Sequence, residues 1–285
     1  MPQEQVPEPV PGVRDAAEVA QMFDDAHIPY VLWGWLAFSL AGQIRQKACT
    51  NLQFVISNHH IGAAAAILDR KGIHACKRPA CLTVAYEEGE KMHTHNPCIA
   101  LFAKSDILSW LPDYGHGLPD PHDPHLMLSN DPRLPPANVH ELPGPNDGPS
   151  GPWRKFRRIK VLNPNALTEA VLSLYARHRG HPCGGPDPPG FRLKFEILLV
   201  GYYLPSLYEK GGRDAPEHRR HLRPPFQLAW DYLNGRRPAG HDKWVGFYRL
   251  RNYLIDVGEI PVTLPRWDRE CAGYAGWDEL KAQMG

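Results

Sequence analysis

Cys76, Cys81, His93, His95 and Cys98 are the residue types that hold zinc. Compact structural zinc sites use a tight Cys-x₂₋₄-Cys pair followed by a second compact pair, and that spacing is missing here. Buried reduced thiols and unconnected surface histidines account for the set, so no metal is expected. Asp113, His116, Asp120, His122, Asp123 and His125 form a second cluster. Its Asp-Pro and Pro-His pairs read as turn chemistry, with the Asp side chains accepting from local backbone N–H groups. One of these histidines is expected to contribute to a lid. Trp153 to Arg158 interleaves aromatic and basic residues, a pattern found where proteins touch RNA or phosphate. In a nearly neutral chain it reads as an edge strand with a solvated basic face. A nucleophile elbow Gly-x-Ser-x-Gly, a Walker loop and a dinucleotide Gly-x-Gly-x-x-Gly are all absent from the sequence.

Composition narrows the partners. The 285 residues carry a net charge of +1, which makes no overall electrostatic case for nucleic acid or a membrane surface. A hydrophobic content of 42% and a charged content of 22% fit a globular protein with a sizeable core. No apolar run approaches the roughly 20 residues that span a bilayer. The start, MPQEQVPEPVPGV, lacks the basic-then-apolar layout of a signal peptide. Six cysteines then read as reduced thiols, and the expected location is cytoplasmic.

The elements that must position any site follow from periodicity. Residues 1–13 are a Pro-rich tail. Ala16, Val19, Ala20, Phe23 and Ala26 recur at helical spacing up to Ile28-Pro29. Tyr30 to Trp33 is a short apolar strand that stops at Gly34, and Leu36, Ala37, Leu40 and Ala41 mark one face of a small helix. A second strand, Leu52 to Ile56, leads to a helix that Asn58 is placed to cap, with Ile61, Ala64, Ala65 and Leu68 buried and Gly72 as the residue just past its end. Leu82 to Tyr86 and Cys98 to Phe102 read as further strands, and Ser105-Asp106 as the cap of a helix carrying Ile107, Leu108, Trp110 and Leu111. Residues 112–152 form a long Pro/His-rich loop with a strand-like Leu126-Met127-Leu128 insert. Ile159 to Leu162 is a last strand. Asn163-Pro164 opens a helix with Leu167, Ala170, Val171, Leu174 and Tyr175 on its buried face. Helices over Phe191 to Tyr208, Phe226 to Tyr232 and Trp244 to Ile255 complete the chain, and no internal repeat is present. The expected fold class is α/β (α+β): a mixed sheet flanked by helices over 14–162, with a helical C-terminal region over 163–285 packed on it.

Strand, Gly turn, helix, basic link (Arg45 to Lys47) and strand resemble the opening of the nucleotidyltransferase fold. In that superfamily the first strand ends in Gly-Gly or Gly-Ser and the next carries Asp-x-Asp. Here Gly34 keeps the first glycine, Trp35 replaces its partner, and Asn51 and Gln53 occupy the two carboxylate positions. The chain is also similar to a family of fungal proteins with the Leu-Met-Leu-Ser-Asn-Asp-Pro-Arg-Leu-Pro-Pro segment and the Pro-Asn-Ala-Leu-Thr-Glu-Ala helix, some of them associated with secondary metabolism.

The resemblance implies that the ends of the first two strands face one crevice, lined by Gly34, Trp35, Ser39, Arg45, Thr50, Asn51 and Gln53. Neutral amides supply too little negative charge to hold Mg²⁺ against nucleotide phosphates. Aromatic and neutral polar residues instead describe a pocket for a mostly apolar ligand held by a few hydrogen bonds. The expected activity is a cofactor-free cyclisation of the intramolecular Diels–Alder type, or an isomerisation, of a hydrophobic natural-product intermediate. Gln53, Asn51 and Arg45 are the expected catalytic residues, and Trp33, Trp35, Ser39, Thr50, Tyr86 and Trp110 the substrate-binding ones. Two alternatives stay open: a Mg²⁺-dependent nucleotidyltransferase using Glu87 or Glu88, and a non-catalytic small-molecule-binding protein.

Overall fold

A computed structural model describes residues 13–41, 51–73, 98–134, 158–178, 215–241, 245–260 and 282. The expected strand Leu82 to Tyr86 and helix Phe191 to Tyr208 lie outside the described residues. The chain divides into two compact units, Met1–Pro164 and Asn165–Gly285.

In the first unit the elements run α1 (Val13–Asp25), β1 (Tyr30–Trp33), α2 (Gly34–Leu40), β2 (Asn51–Ile56), α3 (Ile61–Arg70), β3 (Cys98–Ala103), α4 (Lys104–Ile107), β4 (Leu126–Leu128) and β5 (Lys160–Leu162). The five strands form one mixed sheet in the order β3-β2-β1-β5-β4. β1 is central and all four of its residues are buried, which explains its unbroken apolar run, since a strand covered on both faces has no polar side to alternate. β1 pairs antiparallel with β2 and parallel with β5; β2 pairs parallel with β3, and β4 antiparallel with β5. The expected mixed α/β class is observed.

Side chains alternate across a strand, and β2 sorts them cleanly. Leu52, Phe54 and Ile56 enter one hydrophobic cluster with Ala16, Val19, Ala20 and Phe23 of α1, Tyr30 and Leu32 of β1, and Ala64 and Leu68 of α3. Phe23 meets the Phe54 ring edge-on at 5.5 Å and 89°, an arrangement worth about 0.5–1.5 kcal/mol beyond the area buried. Gln53 and Val55 point to the other face. Tyr114 reaches that level from the segment after α4 and donates its hydroxyl to the Val55 carbonyl at 3.0 Å.

Four helices end in the same way. In α1 the Ile28 N–H reaches the Phe23 carbonyl and the His27 N–H the Asp24 carbonyl. The pairs Ile73–Leu68 and Gly72–Asp69 repeat this after α3. In the second unit α5 spans Pro164–His178, α6 Ala215–His221, α7 Pro224–Leu233 and α8 Val245–Asp256. Arg236–Asp231 and Gly235–Tyr232 close α7, and Glu259–Leu254 and Gly258–Ile255 close α8. The residue just past each helix is left-handed, because this double bond requires it. Gly72, Gly235 and Gly258 take that position at φ +77°, +74° and +75°, whereas α1 puts His27 there at φ 56°.

The two expected caps are not formed. Asn58 lies in a 3₁₀ turn, Asn58–His60, that precedes α3, and its Oδ1 accepts from the Ser105 N–H at 3.0 Å, in the first turn of α4. Ser105 and Asp106 sit inside α4, whose N-cap is Ala103, and α4 ends at Ile107, so Trp110 and Leu111 lie beyond it.

α5 is buried from Ala166 to Ala176 on all sides, including Thr168, Glu169 and Ser173. A helix that meets packing all round must satisfy its polar groups through neighbours. Glu169 accepts from the Arg223 backbone N–H and Nε, both at 2.7 Å, and Arg223 also bridges to Glu259. Thr168 Oγ1 and His218 Nε2 lie 2.9 Å apart. Arg251, 4% exposed, donates to the Ala176 and Arg177 carbonyls at the C-terminal end of α5, where a cation also complements the helix dipole. Basic residues fill the last turn of α6, and two members of the run are paired: Arg219 forks onto Asp231, and Arg223 onto two carboxylates.

Candidate functional site

The antiparallel register brings the C-terminal end of β1 and the N-terminal end of β2 to one end of the sheet, with Trp33 opposite Gln53. The parallel register adds Cys98 of β3 beside Asn51. β1 stops at Gly34, whose φ of +71° is a conformation that side-chain-bearing residues avoid, and the chain turns directly into α2. The Gln53 side chain covers that turn. A Cβ on residue 34 would come within 2.2 Å of Gln53 Oε1 and 2.7 Å of its Cδ.

Gln53 is 2% exposed, and its Oε1 has no hydrogen-bond partner among the described residues. Burying a carbonyl-type oxygen without a partner costs about 1–3 kcal/mol, which makes Oε1 a candidate acceptor. The last side-chain torsion of Gln is broad and roughly two-fold. The carboxamide can therefore present either its oxygen to a hydroxyl or its NH₂ to a carbonyl.

Other expected site residues fall unevenly around this point. Trp33 is 1% exposed and meets Phe38 edge-on at 5.7 Å, so it acts as packing beneath the turn. Trp35 and Ser39 lie on α2 and Asn51 begins β2; their side chains are outside the described residues. Arg45, Thr50, Tyr86, Glu87 and Glu88 lie wholly outside them, as do the run Trp153 to Arg157 and most of the Cys/His set. Trp110 packs on His125 at 5.4 Å, just before β4. β4, which follows His125, is three strands from β2, about 14 Å across a sheet.

The His/Asp cluster resolves into turns. Asp120 accepts from the His122 N–H at 2.7 Å, and Asp123 from the His125 and Leu126 N–H groups at 2.8 Å each. Among the described residues no group of three or more His, Cys, Asp or Glu side chains is placed to hold a metal ion, and no helix is long and apolar enough to cross a membrane. An open groove of about 730 Å³ runs between α1 and α3, lined by Arg14, Glu18, Met22, Ile67 and Lys71 among others, on the other side of the sheet from Gln53.

A buried charge also lies in β5. Lys160, with a side chain only 3% exposed, lies 3.9 Å from Asp24, donates to the Gly115 carbonyl at 3.3 Å and sits 4.5 Å from the Tyr30 ring centroid. Burial lowers its pKa below the usual lysine value of 10.5, and Asp24 opposes the shift. A lone lysine inside the run Ile159 to Leu162 was the available signal; its partner on α1 was not legible. Burial likewise pushes the Tyr114 phenol up, with Asp113 adding to it. Comparison with known proteins gives no match to a protein family, to a curated protein or to a solved structure.

Proposed function

We propose that the Gly34–Gln53 end of the sheet binds a largely apolar small molecule, on a nucleotidyltransferase-like scaffold that no longer transfers nucleotides. The observation that carries this reading is the buried Gln53 carboxamide with an unpartnered oxygen, packed on the glycine turn. In a nucleotidyltransferase the matching position holds a carboxylate for Mg²⁺. An amide there offers a neutral hydrogen bond and no charge to balance a divalent ion and phosphates. The order α1-β1-α2-β2, with a left-handed glycine ending β1 and the relevant strand ends at one end of the sheet, supports the scaffold.

The activity we propose is a cofactor-free cyclisation of the intramolecular Diels–Alder type, or an isomerisation. The resemblance to a fungal family with members in secondary metabolism suggests a natural-product intermediate. In the cyclisation a diene and an alkene of one molecule exchange two π bonds for two carbon–carbon σ bonds, so no co-reactant is consumed. A cavity that holds the reactive fold lowers the barrier by fixing geometry. A hydrogen bond from the Gln53 NH₂ to a carbonyl conjugated with the alkene polarises it.

The test is thermal stabilisation by ATP with Mg²⁺ against a panel of polyene terpenoid and polyketide compounds, followed by turnover of any binder. A ligand of the folded state raises the melting temperature by mass action. Stabilisation by an apolar compound, lost in Gln53→Leu, is expected. Mg²⁺-dependent stabilisation by ATP restores nucleotide transfer and overturns the proposal. A binder recovered unchanged keeps the pocket and removes the catalysis.

A further inference from the structure

His27 and His116 form a pair that neither the core nor the Gln53 site uses. Their rings lie 4.8 Å apart, centroid to centroid, with their planes inclined at 45°, and both residues are exposed. Three sister helix ends use glycine where α1 has His27, at φ 56°. Holding a side-chain-bearing residue in that region costs about 1–3 kcal/mol. Nothing in the turn itself needs an imidazole, since its two bonds come from the backbone. What the imidazole adds is its approach to His116.

We propose that His27 and His116 together bind a borderline divalent cation of the Zn²⁺ type. Neutral imidazole is a preferred ligand for such ions. Two imidazole nitrogens at the usual 2.0–2.1 Å from one zinc, about 100–110° apart, set their ring centroids roughly 5 Å from each other. The observed separation of 4.8 Å is compatible with that arrangement. Two protein ligands leave the remaining positions to water, so binding is reversible and exchangeable, unlike that of a closed structural site.

The site joins two segments. His27 ends α1, and His116 belongs to the turn whose neighbour, Gly115, already receives the Lys160 ammonium. A bound ion therefore ties the 113–117 segment to the end of α1, next to the Asp24–Lys160 pair. His59 and His60 provide an internal contrast. Their rings are 4.3 Å apart, but they are chain neighbours in one turn, and a metal there joins nothing.

The test is calorimetric titration of Zn²⁺ into the full chain and into His27→Gly, His116→Ala and His59→Ala/His60→Ala, with hydrogen exchange followed at residues 113–117. The chain has 15 histidines and 6 cysteines, so the variants decide the assignment and total stoichiometry does not. His27→Gly takes the residue the turn prefers, so it is expected to fold without metal. Loss of one binding equivalent in both His27→Gly and His116→Ala, its retention in the His59/His60 variant, and slower exchange at 113–117 with Zn²⁺ in the wild type are expected. Unchanged stoichiometry in His27→Gly, or exchange at 113–117 that ignores Zn²⁺, overturns the proposal.

Discussion

Gly34 and Gln53 are in contact so close that a side chain at residue 34 has no room while the Gln53 carboxamide stands where it does. The Gln53 Cβ itself stands 3.3 Å from where a Cβ on residue 34 would lie, so the conflict is not confined to the tip of a flexible side chain. The left-handed turn and the carboxamide above it are one structural unit.

Gly34→Ala should therefore lower stability by about 1–3 kcal/mol, from the unfavourable φ and the displaced carboxamide together. In the double variant Gly34→Ala/Gln53→Ala the clash with the carboxamide is gone while the backbone part and the 3.3 Å approach of the two Cβ atoms remain, so the two changes should couple by more than about 0.5 kcal/mol. Urea denaturation of the four proteins of the cycle measures this, and simple additivity would mean that the two groups do not touch.

At alkaline pH two buried groups should act with opposite sign. The Tyr114 phenol is raised above its ordinary value of 10.0, so the stability its neutral form contributes is present below pH 10 and is lost as pH rises further. Lys160 is lowered from 10.5, so the native state carries a penalty for its charge. That penalty is present below the lowered value and is relieved as pH rises toward 10.5. Tyr114→Phe should cost about 1 kcal/mol at neutral pH, for the lost bond to Val55, and flatten the fall above pH 10. Lys160→Met should instead remove a rise with pH. Unfolding free energies from pH 7 to 11 for the three proteins decide it, and parallel curves would refute both assignments.

Two helical glycines should respond oppositely to alanine. Alanine is favoured over glycine in a helix by about 1 kcal/mol. At Gly62 in α3 nothing lies within 4 Å of the added Cβ, so Gly62→Ala should stabilise. At Gly246 in α8 the Cβ would meet Tyr232 Cβ at 2.8 Å and Ala229 Cα at 3.1 Å, both close to the α7 backbone. There overpacking of about 1–3 kcal/mol wins and the variant should be less stable. Thermal midpoints of the two proteins give the signs.

Periodicity made most of the described secondary structure legible. The apolar spacing of α1, the buried run of β1 and the glycine after α3 each follow from local rules, and each is where those rules put it. What stayed hidden depends on pairing between distant segments. Asn58 has the chemistry of a cap, yet its acceptor serves Ser105, forty-seven residues on. In the sequence His116 stands among Asp and His neighbours, whereas its ring partner is His27, just past α1. The contact between Gln53 and Gly34 follows from the register of β1 against β2, which no single segment encodes. Lys160 stood out as a charge in an apolar strand, but only the fold could supply Asp24.

The strand order also bears on synthesis. β1 emerges near residue 30, and its second neighbour, β5, completes near residue 162. At roughly 5–20 residues per second the ribosome leaves the central strand with one unpaired edge for several seconds or more. An apolar, open edge is a template for wrong pairing. During that interval the open edge of β1 is the part of the nascent chain most exposed to pairing with another strand.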